Sequence, residues 1–142
     1  MFVTAGRPGE AEDCDERIEC ARAFPASPEA IPAVRRMITE FAADPVMAAT
    51  AELLISELAS NAVRHARTPF EVRVWADRTC LHAEVIDGSA DLPVLGDGSV
   101  DAEQGRGLRI LDSLASAWGV DVRSGAKAVW FALDTPKAVD PP

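Results

Sequence analysis

The clearest structural pattern in this chain lies in the segment Glu52-Leu-Leu-Ile-Ser-Glu-Leu-Ala-Ser-Asn-Ala-Val-Arg-His-Ala66. The segment contains no Gly or Pro, and its apolar residues recur at three- and four-residue spacing, which predicts a helix. Glu57, Asn61 and His65 stand four apart, so this helix would align a carboxylate, an amide and an imidazole in one row. A solvated polar edge would show the same spacing, but the residues downstream favour a binding site.

Length and composition indicate one soluble globular domain. The chain has 142 residues, of which 48% are hydrophobic, and this is enough for a core without disulfide or metal staples. The net charge of −9 and the lack of a Lys/Arg cluster argue against nucleic acid and acidic membranes as partners. Cys14, Cys20 and Cys80 form no C-x-x-C pair, which fits reduced thiols. Without a leader-like start or an apolar run of about 18 residues, a cytoplasmic protein is expected.

The expected order of elements is strand, two helices, two strands, loop, helix and two strands. The predicted strands lie at 17–26, 70–76, 80–87, 120–123 and 127–133. The helices are predicted to begin at Ser27, Asp44 and Gly105, and Gly119 is predicted to end the last one. A functional loop or lid is expected at 88–105.

This order predicts an α+β two-layer sandwich, in which about three helices cover one face of a mixed or antiparallel sheet. A doubly wound sheet would need a regular strand–helix–strand alternation, which this sequence lacks. The expected domain covers 17–134, between flexible tails at 1–16 and 135–142.

The polar residues of the predicted elements suggest a nucleotide site. Gly105 and Gly107, at a predicted helix start, would let backbone N–H groups approach an anion. Asn61 offers an amide oxygen for Mg²⁺, and Glu57 could accept a proton during attack on a γ-phosphate. Asp87 ends an apolar strand face and could accept a hydrogen bond from an exocyclic amine. Capping the next turn is an equally simple role for Asp87.

The ordered set of motifs resembles the ATP-binding domain of the GHKL superfamily, and most closely the short, single-domain anti-sigma-factor serine/threonine kinases. The motifs are Glu57-x3-Asn61-x3-His65, then Asp87, then Gly105-Arg-Gly-Leu108, and then Gly125-x-Lys-x-Val-Trp-Phe131. The resemblance covers about 17–134. The resemblance implies the Bergerat ATP-binding sandwich, in agreement with the order of elements.

The resemblance also implies roles, cofactors and partners. Glu57 would be the general base, Asn61 would hold Mg²⁺, and Asp87 would bind the amino group of adenine. His65 would close the same motif. The phosphates of ATP would be wrapped by a lid containing Gly105, Arg106, Gly107 and Leu108. Members of this branch bind a sigma factor, phosphorylate a serine on an antagonist protein and are often homodimers.

Three departures from the family pattern keep a second hypothesis open. The adenine-side box, commonly D-x-G-x-G, reads Asp87-Gly-Ser-Ala-Asp91 here, and Ala128 stands where many members have Thr. Four acids, Asp91, Asp97, Asp101 and Glu103, crowd the expected lid. The alternative is therefore a catalytically weak or inactive nucleotide- and partner-binding module.

A complete sensor histidine kinase is not favoured, because both histidines lie inside the predicted ATP-binding domain. A detached kinase half that acts on the histidine of another chain stays open. His82 is predicted to lie on the surface. Trp75, Trp118 and Trp130 are predicted to lie in the core or in an interface.

Overall fold

The computed structural model describes residues 17–88, 102–123 and 125–135. This part of the chain forms five strands and three α-helices: β1 Ile18–Phe24, α1 Ala30–Thr39, α2 Pro45–Asn61, β2 Phe70–Ala76, β3 Cys80–Asp87, α3 Ala102–Leu114, β4 Ala117–Arg123 and β5 Ala126–Asp134. A π-helical turn, Ala62–Ala66, continues α2. Apart from Thr135, the predicted tails lie outside the described residues, as does most of the predicted lid.

The strands form one antiparallel sheet in the order β1-β2-β3-β5-β4. Strand alternation turns one row of apolar side chains toward the helices, and this row forms the core with them: Val72, Val74, Ala83, Val85, Val129 and Phe131. Since α1 and α2 pack together and α2 contacts β3 and β5, the helices form the second layer of a sandwich. The predicted α+β two-layer architecture is confirmed, with an antiparallel sheet.

The starts of α1 and α2 differ in their capping. Asp44 caps α2, because its Oδ1 accepts a hydrogen bond of 2.8 Å from the N–H of Met47, and Pro45 occupies the first turn. At α1 the Ser27 hydroxyl instead donates to the Glu29 carboxylate, and the helix begins at Ala30. Ser27 was predicted to cap α1 and lies two residues before the observed cap position Glu29, whereas the predicted cap of α2, Asp44, is confirmed.

Helix α2 is the central element of the core. Its fully buried face comprises Ala51, Leu54, Ile55 and Ala59. The helical segment Pro45–Ala66 is long and apolar enough to resemble a membrane span, and 44% of its most apolar window is buried inside the protein. The buried face of this helix packs in the core of the sandwich.

The end of α3 corrects a predicted boundary. Helix α3 stops at Leu114 and β4 begins at Ala117, so Gly119 is not a helix cap but lies opposite Trp130 in the sheet. Leu111, Ala115 and Trp118 have helical spacing in the sequence, which extended the predicted helix too far. Pairing of this segment along β5 outweighed that local pattern.

The sheet face turned away from the helices contains a second buried cluster. The ring centroid of His82 lies 3.6 Å from that of Trp75 and 5.4 Å from that of Trp130, with nearly parallel planes. His82 is fully buried, so its predicted surface position was wrong. Trp75, Trp118 and Trp130 are all at least 95% buried, as predicted. Alternation identified the face on which His82 lies, but its burial depends on the indoles of two neighbouring strands.

Candidate functional site

Helix α3 packs directly on the pair Glu57 and Asn61 of α2. A Cβ atom placed on Gly107 would lie 3.2 Å from Glu57 Oε2 and 3.5 Å from Asn61 Nδ2. The lack of a side chain at Gly107 therefore lets the backbone of α3 approach the carboxylate and the amide closely. The four-residue spacing predicted that Glu57 and Asn61 lie together, and the structure places both in the last two turns of α2.

The end of β3 is tied to the same end of the helical layer. Asp87, the last residue of β3, is 6% exposed. The N–H of the next residue, Gly88, donates a 3.1 Å hydrogen bond to Thr68 Oγ1, just beyond the π turn that continues α2. The C-terminal part of α2, the end of β3 and Gly107 of α3 therefore meet at one end of the sandwich. No acceptor role was predicted for Thr68, because this role depends on the end of β3 lying beside it in the fold.

Lys127 faces Asp87 across the sheet. The two residues are register partners on β5 and β3, and Lys127 Nζ lies 3.8 Å from Asp87 Oδ2. Both side chains are almost fully buried, at 8% and 5% exposure. Lys127 was part of the recognised motif but received no predicted role, and only the strand register brings it to Asp87.

Ala128 lies on the other side of the sheet from Lys127. It is the register partner of Ile86, whereas Asp87 pairs with Lys127, and neighbouring strand residues point to opposite faces. A hydroxyl at position 128 would therefore not lie on the sheet face of Asp87. The β5 residue that lies beside Asp87 on its face of the sheet is Lys127.

His65 lies on the π turn that follows the regular part of α2. Regular α-helix ends at Asn61, and the N–H of Arg67 donates to the carbonyl of Ala62, a five-residue step typical of a π turn. Arg67, at φ +56°, then ends the turn in the left-handed region. His65 is exposed on this turn. Its part in the row of polar residues stays a prediction.

The predicted lid residues differ in what the structure describes. Helix α3 begins at Ala102, so Gly105, Arg106 and Gly107 lie within the helix rather than at its start, which corrects the prediction. The N–H of Gly107, the sixth residue of α3, lies beyond the four N–H groups that a helix start leaves open. The side chain of Leu108 belongs to the hydrophobic core. The side chain of Arg106 and the acidic side chains at 91, 97, 101 and 103 lie outside the described part of the chain.

Within the described residues, no group of three or more His, Cys, Asp or Glu side chains forms a metal site. The chemistry of the Asn61 amide nevertheless fits one coordination position of Mg²⁺, which binds few protein oxygens when it also binds phosphates and water. The close approach of Gly107 to this amide leaves the backbone of α3 beside it. If the site binds a nucleotide with Mg²⁺, Asn61 is the residue whose chemistry would suit the ion.

The fold is that of a histidine kinase-like ATPase domain. The family model described as "Histidine kinase-like ATPase domain" matches residues 24–133, and the chain belongs to this family. The fold is also similar to a crystal structure of the RsbU and RsbW domains of Rv1364c from Mycobacterium tuberculosis, with a TM-score of 0.62. The two sequences are 20% identical, and the match covers 84% of this chain and 33% of that chain. The curated proteins contain no match.

Proposed function

We propose that this protein binds Mg-ATP where α2, β3 and α3 meet, and that it acts as a cytoplasmic anti-sigma factor with serine/threonine kinase activity. The observation that carries the proposal is the close approach of Gly107 to Glu57 and Asn61, at the end of the molecule where Asp87 lies. The family membership supports ATP as the nucleotide. The resemblance of the motifs to the anti-sigma kinases supports the regulatory role.

Each polar residue has a defined part in the proposed reaction. Asn61 would hold Mg²⁺, which supplies charge compensation for the triphosphate, and Asp87 would accept a hydrogen bond from the amino group of adenine. Glu57, one turn before Asn61, would accept the proton of a serine hydroxyl on the antagonist protein. The serine oxygen forms a bond to the γ-phosphorus while the bond to the β-phosphate oxygen breaks, and ADP leaves. His65 and the segment 105–108 would contribute to the nucleotide site.

The proposed protein partners are a sigma factor and an antagonist protein, and the proposed assembly is a homodimer. An apolar groove of about 200 Å³ between the start of α2 and the end of α3 supports contact with a protein. It is lined in part by Val46 and Leu114, which are 77% and 46% exposed. Apolar side chains exposed in this way can bind the apolar face of a partner.

The test combines calorimetry with phosphotransfer from γ-labelled ATP to a candidate antagonist. Glu57→Ala should retain Mg-ATP binding but lower transfer by at least about a hundredfold, the lower end of the range for loss of a general base. Asn61→Ala should weaken Mg-ATP binding itself. Glu52→Gln, which changes a carboxylate of the same helix beside Arg35 and Arg36, is the matched control and should behave as wild type.

Three results would contradict parts of the proposal. Full transfer by Glu57→Ala would remove Glu57 from the role of base. The lack of binding heat up to millimolar Mg-ATP would favour the alternative of a partner-binding module that has lost its nucleotide. Acid-labile label on a histidine of a partner would identify a detached histidine kinase half instead of a serine/threonine kinase.

A further inference from the structure

The ion pair between Asp87 and Lys127 is the feature of the site that the proposed reaction does not use. Both side chains are more than 90% buried, and the ammonium lies 3.8 Å from the carboxylate. In the sheet register Lys127 lies opposite Asp87 of β3 on one side and opposite Val122 of β4 on the other. Of these two neighbours, Asp87 is the one with a carboxylate. The pair is therefore built into the sheet at the end of β3.

Stability alone is a poor explanation for this pair. Burying two opposite charges costs desolvation free energy that their attraction often fails to recover, and apolar residues of similar size are frequently as stable. A lysine beside the residue expected to bind the base has a direct chemical consequence, however. The ammonium attracts one carboxylate oxygen electrostatically and thereby limits the rotation of the group that would meet the base.

We propose that Lys127 is the positioning residue for base selection: it orients Asp87 as a charged acceptor, so that the site takes a 6-aminopurine nucleotide and rejects a 6-oxopurine. This inference rests on the proposed function, because it requires a nucleotide at Asp87. An ionised carboxylate can only accept hydrogen bonds. It therefore pairs with the 6-amino group of adenine and repels the 6-oxo group of hypoxanthine or guanine.

Removal of the ammonium should abolish this selection. Without the ammonium, the Asp87 carboxylate is no longer held in one orientation beside the base. A carboxylate that turns away loses both its hydrogen bond to the 6-amino group and its repulsion of the 6-oxo group. The variant Lys127→Met, which keeps most of the side-chain volume, should therefore bind both kinds of purine with similar affinity.

The experiment measures the dissociation constants of Mg-ATP and Mg-inosine triphosphate by calorimetry for wild type and variants. Inosine triphosphate differs from ATP at the 6-position and at the neighbouring N1 proton. Wild type should prefer ATP by about tenfold or more, the effect of one hydrogen bond to a charged group. K127M should lower this ratio by about tenfold, and K127R should restore it because it restores the positive charge. R73M, which breaks an exposed ion pair with Glu71 on the opposite sheet face, is the control and should keep the wild-type ratio.

The ratio does not depend on the fraction of folded protein, because both nucleotides titrate the same population. If K127M fails to fold, D87N and the double variant D87N/K127M replace it, since the double variant leaves neither charge buried alone. D87N and D87N/K127M should show the same low preference for Mg-ATP over Mg-inosine triphosphate. A further change in the double variant would mean that Lys127 contacts the base itself, and it would overturn the positioning role.

The two proposals fail in different ways. A wild-type protein that prefers ATP, together with a K127M variant that has the same preference, overturns the role of Lys127 and leaves the proposed function standing. A wild-type protein that binds neither nucleotide overturns the proposed function and this inference with it.

Discussion

Gly107 has opposite effects on stability and on the proposed activity. Glycine inside a helix costs about 0.5–1 kcal/mol relative to alanine, so Gly107→Ala should raise the free energy of unfolding by roughly that amount. The new methyl group would meet Glu57 Oε2 at 3.2 Å, and the flexible carboxylate would have to move by a few tenths of an ångström. Since the proposed base needs accurate placement, phosphotransfer should fall by about tenfold or more. Urea unfolding and a transfer assay measure the two effects.

Ser113→Ala is the matched control for Gly107→Ala, because Ser113 lies in the same helix with its side chain exposed. It should change stability slightly and leave phosphotransfer unchanged. A Gly107→Ala variant with full transfer would show that the close approach of α3 to Glu57 has no catalytic consequence.

The two histidines of the chain should differ strongly in how much stability is lost on substitution by alanine. His82 is fully buried between Trp75 and Trp130, so His82→Ala should lower the free energy of unfolding by about 3 kcal/mol through the cavity it leaves. His65 is exposed on the π turn, so His65→Ala should change that free energy by no more than about 0.5 kcal/mol. Denaturant unfolding of both variants makes the comparison, and equal losses would contradict the stacked cluster as a source of stability.

At the scale of elements, the two helix starts provide a direct comparison of capping. Asp44→Ala removes the acceptor for the Met47 N–H and should cost about 1 kcal/mol in the free energy of unfolding. Ser27→Ala removes a hydroxyl that caps no helix N–H, and it should stay within about 0.5 kcal/mol. Urea titrations distinguish the two. A larger loss at Ser27 than at Asp44 would contradict the observed start of α1 at Ala30.

The hydrogen bond from Gly88 to Thr68 connects β3 to the segment after α2, and its loss should affect binding more than folding. Thr68→Val preserves shape but removes the acceptor for the Gly88 N–H. Because Gly88 is exposed, water can replace the lost bond, and the free energy of unfolding should fall by less than about 1 kcal/mol. Mg-ATP affinity should fall about threefold to tenfold as the end of β3 loosens.

Thr50→Val serves as the control for Thr68→Val, since the Thr50 hydroxyl donates to the carbonyl of Val46 in its own helix. Its Mg-ATP affinity should match that of wild type. Calorimetry that gives Thr68→Val an unchanged affinity would show that the position of Gly88 does not affect the nucleotide site.

At the scale of the whole molecule, the net charge of −9 should make stability depend on salt. Like charges repel one another in the compact state, and ions screen exposed charges beyond a distance of about 10 Å at 0.1 M salt. Raising the concentration of NaCl from about 0.02 M to about 0.3 M should therefore increase the free energy of unfolding, measured with urea at neutral pH. KCl should act equally if screening is the cause. A decrease with both salts would mean that favourable ion pairs dominate the electrostatics of the fold.

Local patterns predicted most of the sandwich. The alternation in 70–76 and 80–87 identified β2 and β3 with their buried faces, and the Asp44-Pro45 signal identified the start of α2. The errors occurred where two patterns competed, as at Trp118 and Gly119, which suit the end of a helix in sequence but pair with β5 in space. Pairing with a distant strand cannot be predicted from a short stretch of sequence, because the free energy of pairing depends on the residues of both strands.

The contacts of the candidate site also fall into those that local spacing predicts and those that depend on the fold. Glu57 and Asn61 share a helix, so their spacing alone was enough to place them together, because the α-helix has a fixed period. The contact of Gly107 with this pair, the hydrogen bond from Gly88 to Thr68 and the pairing of Lys127 with Asp87 join residues far apart in the chain. These contacts depend on strand order, register and helix packing. Only the tertiary structure determines them, since free energies of packing over the whole sandwich select one arrangement among many with the same local geometry.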